Sequence, residues 1–420
     1  MRYRSAVAVL AGLATAAALT ACGRSAESPG QAQPSSTVAA KATGRITMWA
    51  MGTEGELLPA FLKTFEAANP GVKVDVTAVP WDSSYQKFQT AIASGNVPDV
   101  AMMPGLPVFK DAFAPVPEAV RTADMYPGAV ATGTMGGRLL EVPWYVDVRV
   151  LYYRTDLARK AGWDRPPATW DELRRLAGDL RKKAGAKWGI RLPAGMTGSF
   201  LSTLWMPWSN GGELMNAGRS AWTLDTPEFA AAYEYLASYF EQGLADANAD
   251  PAPAAAVKDF LTGATPMLVA GPFVRGAITQ SAGDAFTGKY ATVPLPAGKS
   301  STSFVGGANL VVFKAAKNPG SAWKLVQWLS EPSTQVAWYR ASGDLPAVRS
   351  AWQDPALTAD PTLAAFAEQL KTAKAPPQLV SFDKVGAAGD SAIERIVKGG
   401  TPVADALRQL QQQADGIGVS

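Results

Sequence analysis

Histidine is absent from this 420-residue chain and cysteine occurs once, at position 22. Without them the chain cannot build a Ser/His/Asp or Cys/His nucleophile, an internal disulfide or an ordinary zinc site of imidazoles and thiolates. Chemistry that needs only carboxylates, such as glycoside hydrolysis or lyase action, stays open. No G-x-x-x-x-G-K-[ST] or G-x-G-x-x-G run precedes a helical pattern, so nucleotide binding has no support. The net charge of +3 is spread without runs. No basic stripe interleaved with aromatics is present, which argues against a nucleic-acid partner. Nothing in the chain calls for a cofactor or a metal.

Long apolar runs are equally scarce, and the one at the start has a particular order. Arg2 and Arg4 precede an apolar stretch from Ala6 to Leu19, which ends in Leu19-Thr20-Ala21-Cys22. Charged, apolar, then small residues is the order of a secretory signal, and the run is too short for a confident membrane span. The ending resembles the lipobox of bacterial lipoproteins, in which the cysteine is acylated and becomes the mature N-terminus. Residues 1–21 are therefore expected to be a signal peptide and Cys22 the lipid attachment point. Residues 22–44, rich in Ser, Ala, Gln, Pro and Gly, cannot bury enough apolar surface to order themselves and are expected to be a tether.

From Arg45 onward the chain is long enough, and apolar enough, for two cores. Arg45 to Met51 reads as a strand, and Leu58, Phe61, Leu62 and Phe65 form one helical face that stops at Asn69-Pro-Gly71. Val72, Val74 and Val76 alternate as the next strand, completing a β-α-β unit. In such units ligands sit beyond the carboxyl end of the strand, where Thr53 and Glu54 stand. Later helices begin at Thr169, where Glu172 completes a capping box, and at Thr226-Pro227. Pro266 to Phe273 reads as a strand ending in a turn. The segment Trp205-Met-Pro-Trp208-Ser-Asn-Gly-Gly212 has no periodicity of either kind. Strands and helices alternate throughout, which predicts an α/β class with largely parallel sheets.

The most informative stretch runs from Glu141 to Arg154. It gathers aromatics, a carboxylate and two arginines before a β-branched and aromatic core strand. Aromatic faces cover apolar C–H surfaces while a carboxylate accepts from hydroxyls, a combination suited to a polyhydroxylated ligand. An equal alternative makes Trp144 and Tyr145 core or rim aromatics and gives Asp147 a turn to cap.

Taken together these residues give a chain that resembles the bacterial extracellular solute-binding proteins of the maltose-binding type, the lipoprotein receptors of ABC sugar importers. The resemblance is carried in order by Asn69-Pro-Gly-Val-Lys73, Pro98-Asp99, Val142-Pro-Trp144 ahead of Leu151-Tyr-Tyr153, Pro167 to Leu173, Asn210-Gly-Gly212, Gly271-Pro-Phe273, Gly306-Gly307 and Leu345-Pro346. It implies a two-lobed periplasmic-binding-protein-like fold with a ligand cleft between the lobes. The first lobe takes 45–147 and 306–341, and the second takes 148–305 and 342–420. It further implies a monomer outside the cytoplasm, held to the membrane by its N-terminal lipid, which passes a small oligosaccharide to permease subunits without turning it over.

By the same resemblance, Thr53 and Glu54 reach sugar hydroxyls from the first lobe, with Tyr145 and Asp147 used similarly. Trp205, Trp208 and Phe273 stack on sugar rings, and the backbone at Gly306 and Gly307 approaches the ligand. Core packing is the competing role for Trp205 and Trp208. Arg149 and Arg275 serve either hydroxyls, a carboxylate or neighbouring charges. The chain departs from the pattern at Met103-Pro-Gly-Leu106, where relatives carry an aromatic or acidic residue, and at Val385-Gly-Ala-Ala388, where maltose-type binders carry an aromatic. A di- or trisaccharide or a glycoside therefore fits better than a long maltodextrin. The alternative reading is a surface-anchored polysaccharide hydrolase or lyase using Glu54, Asp147 and Glu213.

Overall fold

Residues 37–420 are described by the structure, a computed structural model. Cys22 and the expected signal peptide lie outside the described residues. Among those described, no helix is long and apolar enough to cross a membrane.

The eleven strands are β1 (Gly44–Met51), β2 (Val72–Val79), β3 (Val100–Met103), β4 (Thr134–Met135), β5 (Arg138–Leu139), β6 (Val142–Val148), β7 (Val150–Arg154), β8 (Met267–Ala270), β9 (Tyr290–Val293), β10 (Val305–Val312) and β11 (Leu345–Pro346). They form a six-stranded sheet in the order β11-β6-β10-β3-β1-β2, a three-stranded sheet β8-β7-β9 and the short pair β4-β5. In β1 the alternation holds as far as Ala50: Ile46, Met48 and Ala50 are buried, Thr47 and Trp49 are half-buried and Arg45 faces water. The expected β-α-β unit follows as α1 (Gly52–Phe61) and α2 (Lys63–Ala68), leading into a β2 that runs parallel to β1. Next comes α3 (Trp81–Ser94), after which β3 also lies parallel to β1.

Asp99 ties this region together. Its Oδ2 accepts from the Thr47 backbone N–H and hydroxyl, both at 2.8 Å, and its Oδ1 accepts from Asn318 N at 2.8 Å. The Pro98-Asp99 motif is thus a structural fastening of β1 to the chain's return segment.

The expectation of largely parallel sheets fails outside this unit. The pairs β10 with β3, β10 with β6 and β11 with β6 are antiparallel, and so are both pairs of the small sheet. Parallel pairing needs a crossover packed on the same sheet. Here β10 enters the large sheet from the small one, after β9, and so runs the opposite way. The segment taken as one strand around Val148 is two: β6 belongs to the large sheet and β7 to the small, with Arg149 alone between them.

Two further boundaries differ from expectation. Residues 39–44 are not tether, because Ala42 is 1% exposed in the core and its N–H donates to Asn69 Oδ1 at 3.1 Å. The expected handover at 341/342 also moves, since Leu345 and Pro346 pair with Val146 and Tyr145 in the large sheet. The large sheet's core runs on through Trp352, Leu357 and Phe366 to Leu370.

A second core gathers Leu173, Leu176 and Leu180 of the Trp170–Ala184 helix, Phe229, Tyr233 and Leu236 of the Pro227–Glu241 helix, and the inner faces of the Phe382–Val397 and Val403–Ile417 helices. Strand β7 serves both cores: Tyr152 packs into the first, Leu151 and Tyr153 into the second. The Thr169 cap is present, accepting from Glu172 N at 3.3 Å. The return arm of the box closes one residue early, with Glu172 Oε2 accepting from Ala168 N at 2.8 Å.

Candidate functional site

Strand β1 passes into α1 with no intervening loop, so Thr53 and Glu54 occupy the first turn of a helix rather than a loop. A carboxylate there is favoured by the unpaired N–H groups of the helix start. Glu54 Oε1 accepts from the Tyr145 hydroxyl at 2.7 Å, joining α1 to β6. Thr53 is exposed beside it.

Two residues further along β6, Asp147 Oδ1 lies 3.1 Å from Arg149 Nη1, each side chain being 26% exposed. That oxygen is itself buried and has no aligned hydrogen bond. The contact is therefore an ion pair by distance but leaves the carboxylate free to accept a better donor. Burial pushes the Asp147 carboxyl above its usual range, against the pull of Arg149. Burial, reinforced by Glu54, likewise raises the Tyr145 phenol.

The Arg149 guanidinium lies between two rings, 5.6 Å from the centroid of Phe273 and 5.8 Å from that of Phe304. Phe273 opens the Phe273–Ala282 helix and is 56% exposed, so the expected presented aromatic is present, on a helix start rather than a plain turn. Behind the pair stands Gly271, where an added Cβ would overlap both Asp147 Oδ1 and Arg149 Nη1. Only glycine leaves room for this pair.

Sequence reasoning missed Asp344. It stands immediately before β11, and its Oδ2 accepts from Trp338 Nε1 at 2.9 Å. Burial, then the charge of Glu54, pushes its carboxyl up to about 6, against the Trp338 N–H. Glu54, Asp147 and Asp344 thus form an acceptor-rich cluster around Tyr145. Among the described residues no three or more ligating side chains converge on a metal position. Such a cluster can accept hydrogen bonds from several hydroxyls of a neutral ligand.

Opposite Asp147 in the β6/β10 register is Gly306, and opposite Val146 is Gly307. Gly306 and Gly307 also line a cavity of about 530 Å³, within the usual size of a small-molecule site. Its walls come from residues 104–108 after β3, from Leu201 and Phe304, and from residues 376–384. Phe304 and Gly306 therefore connect the cavity to the Asp147/Arg149 pair. Gly307 is required by the strand pairing: its φ is +124°, and an added Cβ would overlap the Tyr145 carbonyl oxygen. Leu201 carried no sequence signal: it sits in the short Ser199–Thr203 helix, ahead of the aperiodic stretch.

Trp205 and Trp208 are not at this site. They are 2% and 3% exposed inside the second core, with Trp205 edge-on to Trp170 at 6.3 Å. The competing role, packing, is the one they fill. Arg275 is also engaged elsewhere, with Asp360 and with Thr362 Oγ1. Glu213 pairs with Lys374 at the surface.

Under the cavity wall lies Glu141, fully buried. Its Oε2 accepts from Asn309 Nδ2 at 2.7 Å and its Oε1 from Leu106 N at 3.4 Å. Burial pushes its carboxyl up to about 8, against these two donors. A carboxyl raised in this way stays protonated in the folded state while the unfolded chain has released its proton. Its contribution is complete below the unfolded value and is lost as pH climbs to the folded one. The expected result is a thermal midpoint that falls between pH 5 and 8, through Asp344 up to about 6 and through Glu141 up to about 8. The slope is up to about 1.4 kcal/mol per pH unit per group. Glu141→Gln should flatten the pH 6–8 part in a melting series, and a wild-type midpoint that rises over that range contradicts the assignment.

The family described as bacterial extracellular solute-binding protein matches residues 50–336. The sugar-binding protein MalE of Xanthomonas citri is 28% identical, with a TM-score of 0.82 over 89% of this chain and 97% of that one. A Deinococcus radiodurans protein named "Probable ABC transporter-binding protein" is 28% identical over 69% of this chain and 71% of its own length. The sn-glycerol-3-phosphate-binding periplasmic protein UgpB of Salmonella typhimurium is 26% identical over 75% of this chain and 76% of its own.

Proposed function

The chain belongs to the bacterial extracellular solute-binding proteins, and from that premise we propose that it captures a small oligosaccharide or glycoside outside the cytoplasm and delivers it to the permease of an ABC importer. The protein is a receptor and not an enzyme, so the carboxylate-dependent hydrolase or lyase reading falls away. The observation that carries the ligand class is the acceptor cluster of Glu54, Tyr145, Asp147 and Asp344. Hydroxyls bring donors to it, and the neighbouring Phe273 and Phe304 offer ring faces. Thr53, Gly306 and Gly307 complete the contacts we assign to the ligand, while Trp205 and Trp208 are left out because they are buried.

We assign the large sheet and the small sheet, each with its core, to two lobes that approach each other over the ligand as a monomer. Cys22 is the proposed acyl anchor, with residues 1–21 removed and the following segment acting as a tether. The mass of the mature N-terminal peptide checks this, and an unmodified Cys22 refutes it.

The test of the ligand site is a thermal-shift screen over sugars and polyols, followed by calorimetric titration. A ligand that binds only the folded state raises the midpoint. Asp147→Asn removes a charged acceptor while keeping its shape. Hydrogen bonds to charged groups contribute roughly 1.5–3 kcal/mol, so the expected loss of affinity is about tenfold or more. The sugar should be recovered intact by chromatography. Unchanged affinity in Asp147→Asn and Glu54→Ala would move the site elsewhere.

A further inference from the structure

Beyond the acceptor cluster, the 530 Å³ cavity has a character that hydroxyl recognition does not explain. Its lining is dominated by Leu106, Val108, Leu201, Leu379 and Val380, together with four prolines. The polar side chains available there are few. Asn309 is 3% exposed, and its amide is already committed, Nδ2 to Glu141 and Oδ1 to Thr132 Oγ1. Gln378 donates to the Pro376 carbonyl at 3.1 Å. Asp383 and Lys384, adjacent in sequence, bring opposite charges. A ligand that filled this space with hydroxyls would strand most of them without partners, at a cost for each unpaired group.

The surface at the cavity mouth points the same way. Among the described residues six large apolar side chains are exposed, and three of them, Tyr85, Val108 and Val380, line this one cavity at 45%, 43% and 42% exposure. Clustered exposed apolar side chains mark a surface that is covered in use. The cavity also adjoins the proposed hydroxyl site, because Phe304 borders both the cavity and Arg149, and Gly306 both lines the cavity and pairs with Asp147.

We propose that the ligand is an amphipathic glycoside, whose sugar engages the Glu54/Tyr145/Asp147/Asp344 cluster and whose apolar aglycone, aryl or alkyl, fills the cavity between Leu106, Leu201 and Val380. The proposal rests on the sugar-receptor reading above and narrows it. The fit is to an uncharged apolar group, since the walls carry one acidic and one basic side chain, Asp383 and Lys384, and no net charge. Burial of an aromatic ring on this lining is worth a factor of about ten or more in affinity.

The experiment compares matched probes on the purified wild-type protein. Methyl and p-nitrophenyl glycosides of a panel of hexoses, pentoses and N-acetylhexosamines, with maltose, trehalose and maltotriose alongside, are titrated by calorimetry. The expected result is at least one sugar for which the p-nitrophenyl glycoside binds tenfold or more tightly than its methyl counterpart, and more tightly than any plain oligosaccharide. In Val108→Asp/Val380→Asp, both exposed positions where a charge leaves the fold intact, that ratio should drop towards one while the thermal midpoint stays within a few degrees of wild type. A plain oligosaccharide that outbinds every aryl glycoside overturns this proposal and leaves the sugar receptor standing. Absence of binding across both series overturns the sugar-receptor reading and this proposal with it. An aryl preference that survives the double substitution overturns the placement of the aglycone.

Discussion

Replacing Gly307 with valine is expected to destabilise the protein by about 2–6 kcal/mol, the sum of a strained backbone and an overpacked contact. At φ +124° a side chain is strained whatever the space around it, and there is no space. An added Cβ overlaps the Tyr145 carbonyl oxygen and comes within 2.9 Å of Val146 Cα, both backbone atoms of the paired strand β6. Neither can rotate away as a side chain would, so β6 and β10 must part at the register that carries Tyr145 and Asp147. Domains of ordinary stability have about 5–15 kcal/mol to lose. The variant should therefore melt at a much lower temperature, and any folded fraction should bind sugar poorly. Gly276→Ala is the control, because it lies inside the Phe273–Ala282 helix where an added Cβ meets nothing within 4 Å. It should be neutral or slightly stabilising. Denaturant melts of the two variants beside wild type decide the matter. Equal midpoints for Gly307→Val and wild type would mean that the two strands tolerate the intrusion.

Trp205→Ala is the second large effect, and it is expected in stability rather than in recognition. The indole is 2% exposed, edge-on to Trp170 and embedded in the second core. Deleting a buried tryptophan costs about 3–5 kcal/mol through lost transfer energy and the cavity left behind. The thermal midpoint should fall by several degrees. Affinity measured well below that midpoint should stay within about twofold of wild type. Calorimetry and melting on the same preparation separate the two, and a large loss of affinity with an unchanged midpoint would return Trp205 to the binding site.

The two tryptophans also illustrate what a sequence can and cannot disclose. The helix faces at Leu58, Leu62 and Phe65 and at Leu173, Leu176 and Leu180 were legible because one side of each helix meets water and the other does not, which stamps a period on the residues. Residues 205–209 form a helix whose every member is buried. With no polar side there is no period, so the segment has no helical signature in the sequence and its aromatics look available to a ligand. The site itself was legible where chemistry is dense, at Tyr145 and Asp147, and at Glu54 through the strand-to-helix junction. Asp344 and Leu201 escaped because their proximity to the site comes only from long-range packing, Asp344 through β11 joining the far edge of the large sheet. Antiparallel pairing escaped for the same reason, since strand direction is set by which sheet the chain has just left.

Arg149 is the whole connection between β6 in one sheet and β7 in the other. Consecutive Cα atoms stay 3.8 Å apart across a trans peptide, so this joint has no length to give. The two sheets cannot draw apart or slide past each other at that point. What freedom this joint has is torsional, a change of φ and ψ at Arg149. Because the side chain at that joint is the one that pairs with Asp147 and lies between Phe273 and Phe304, a change of torsion there would shift the guanidinium against the acceptor cluster.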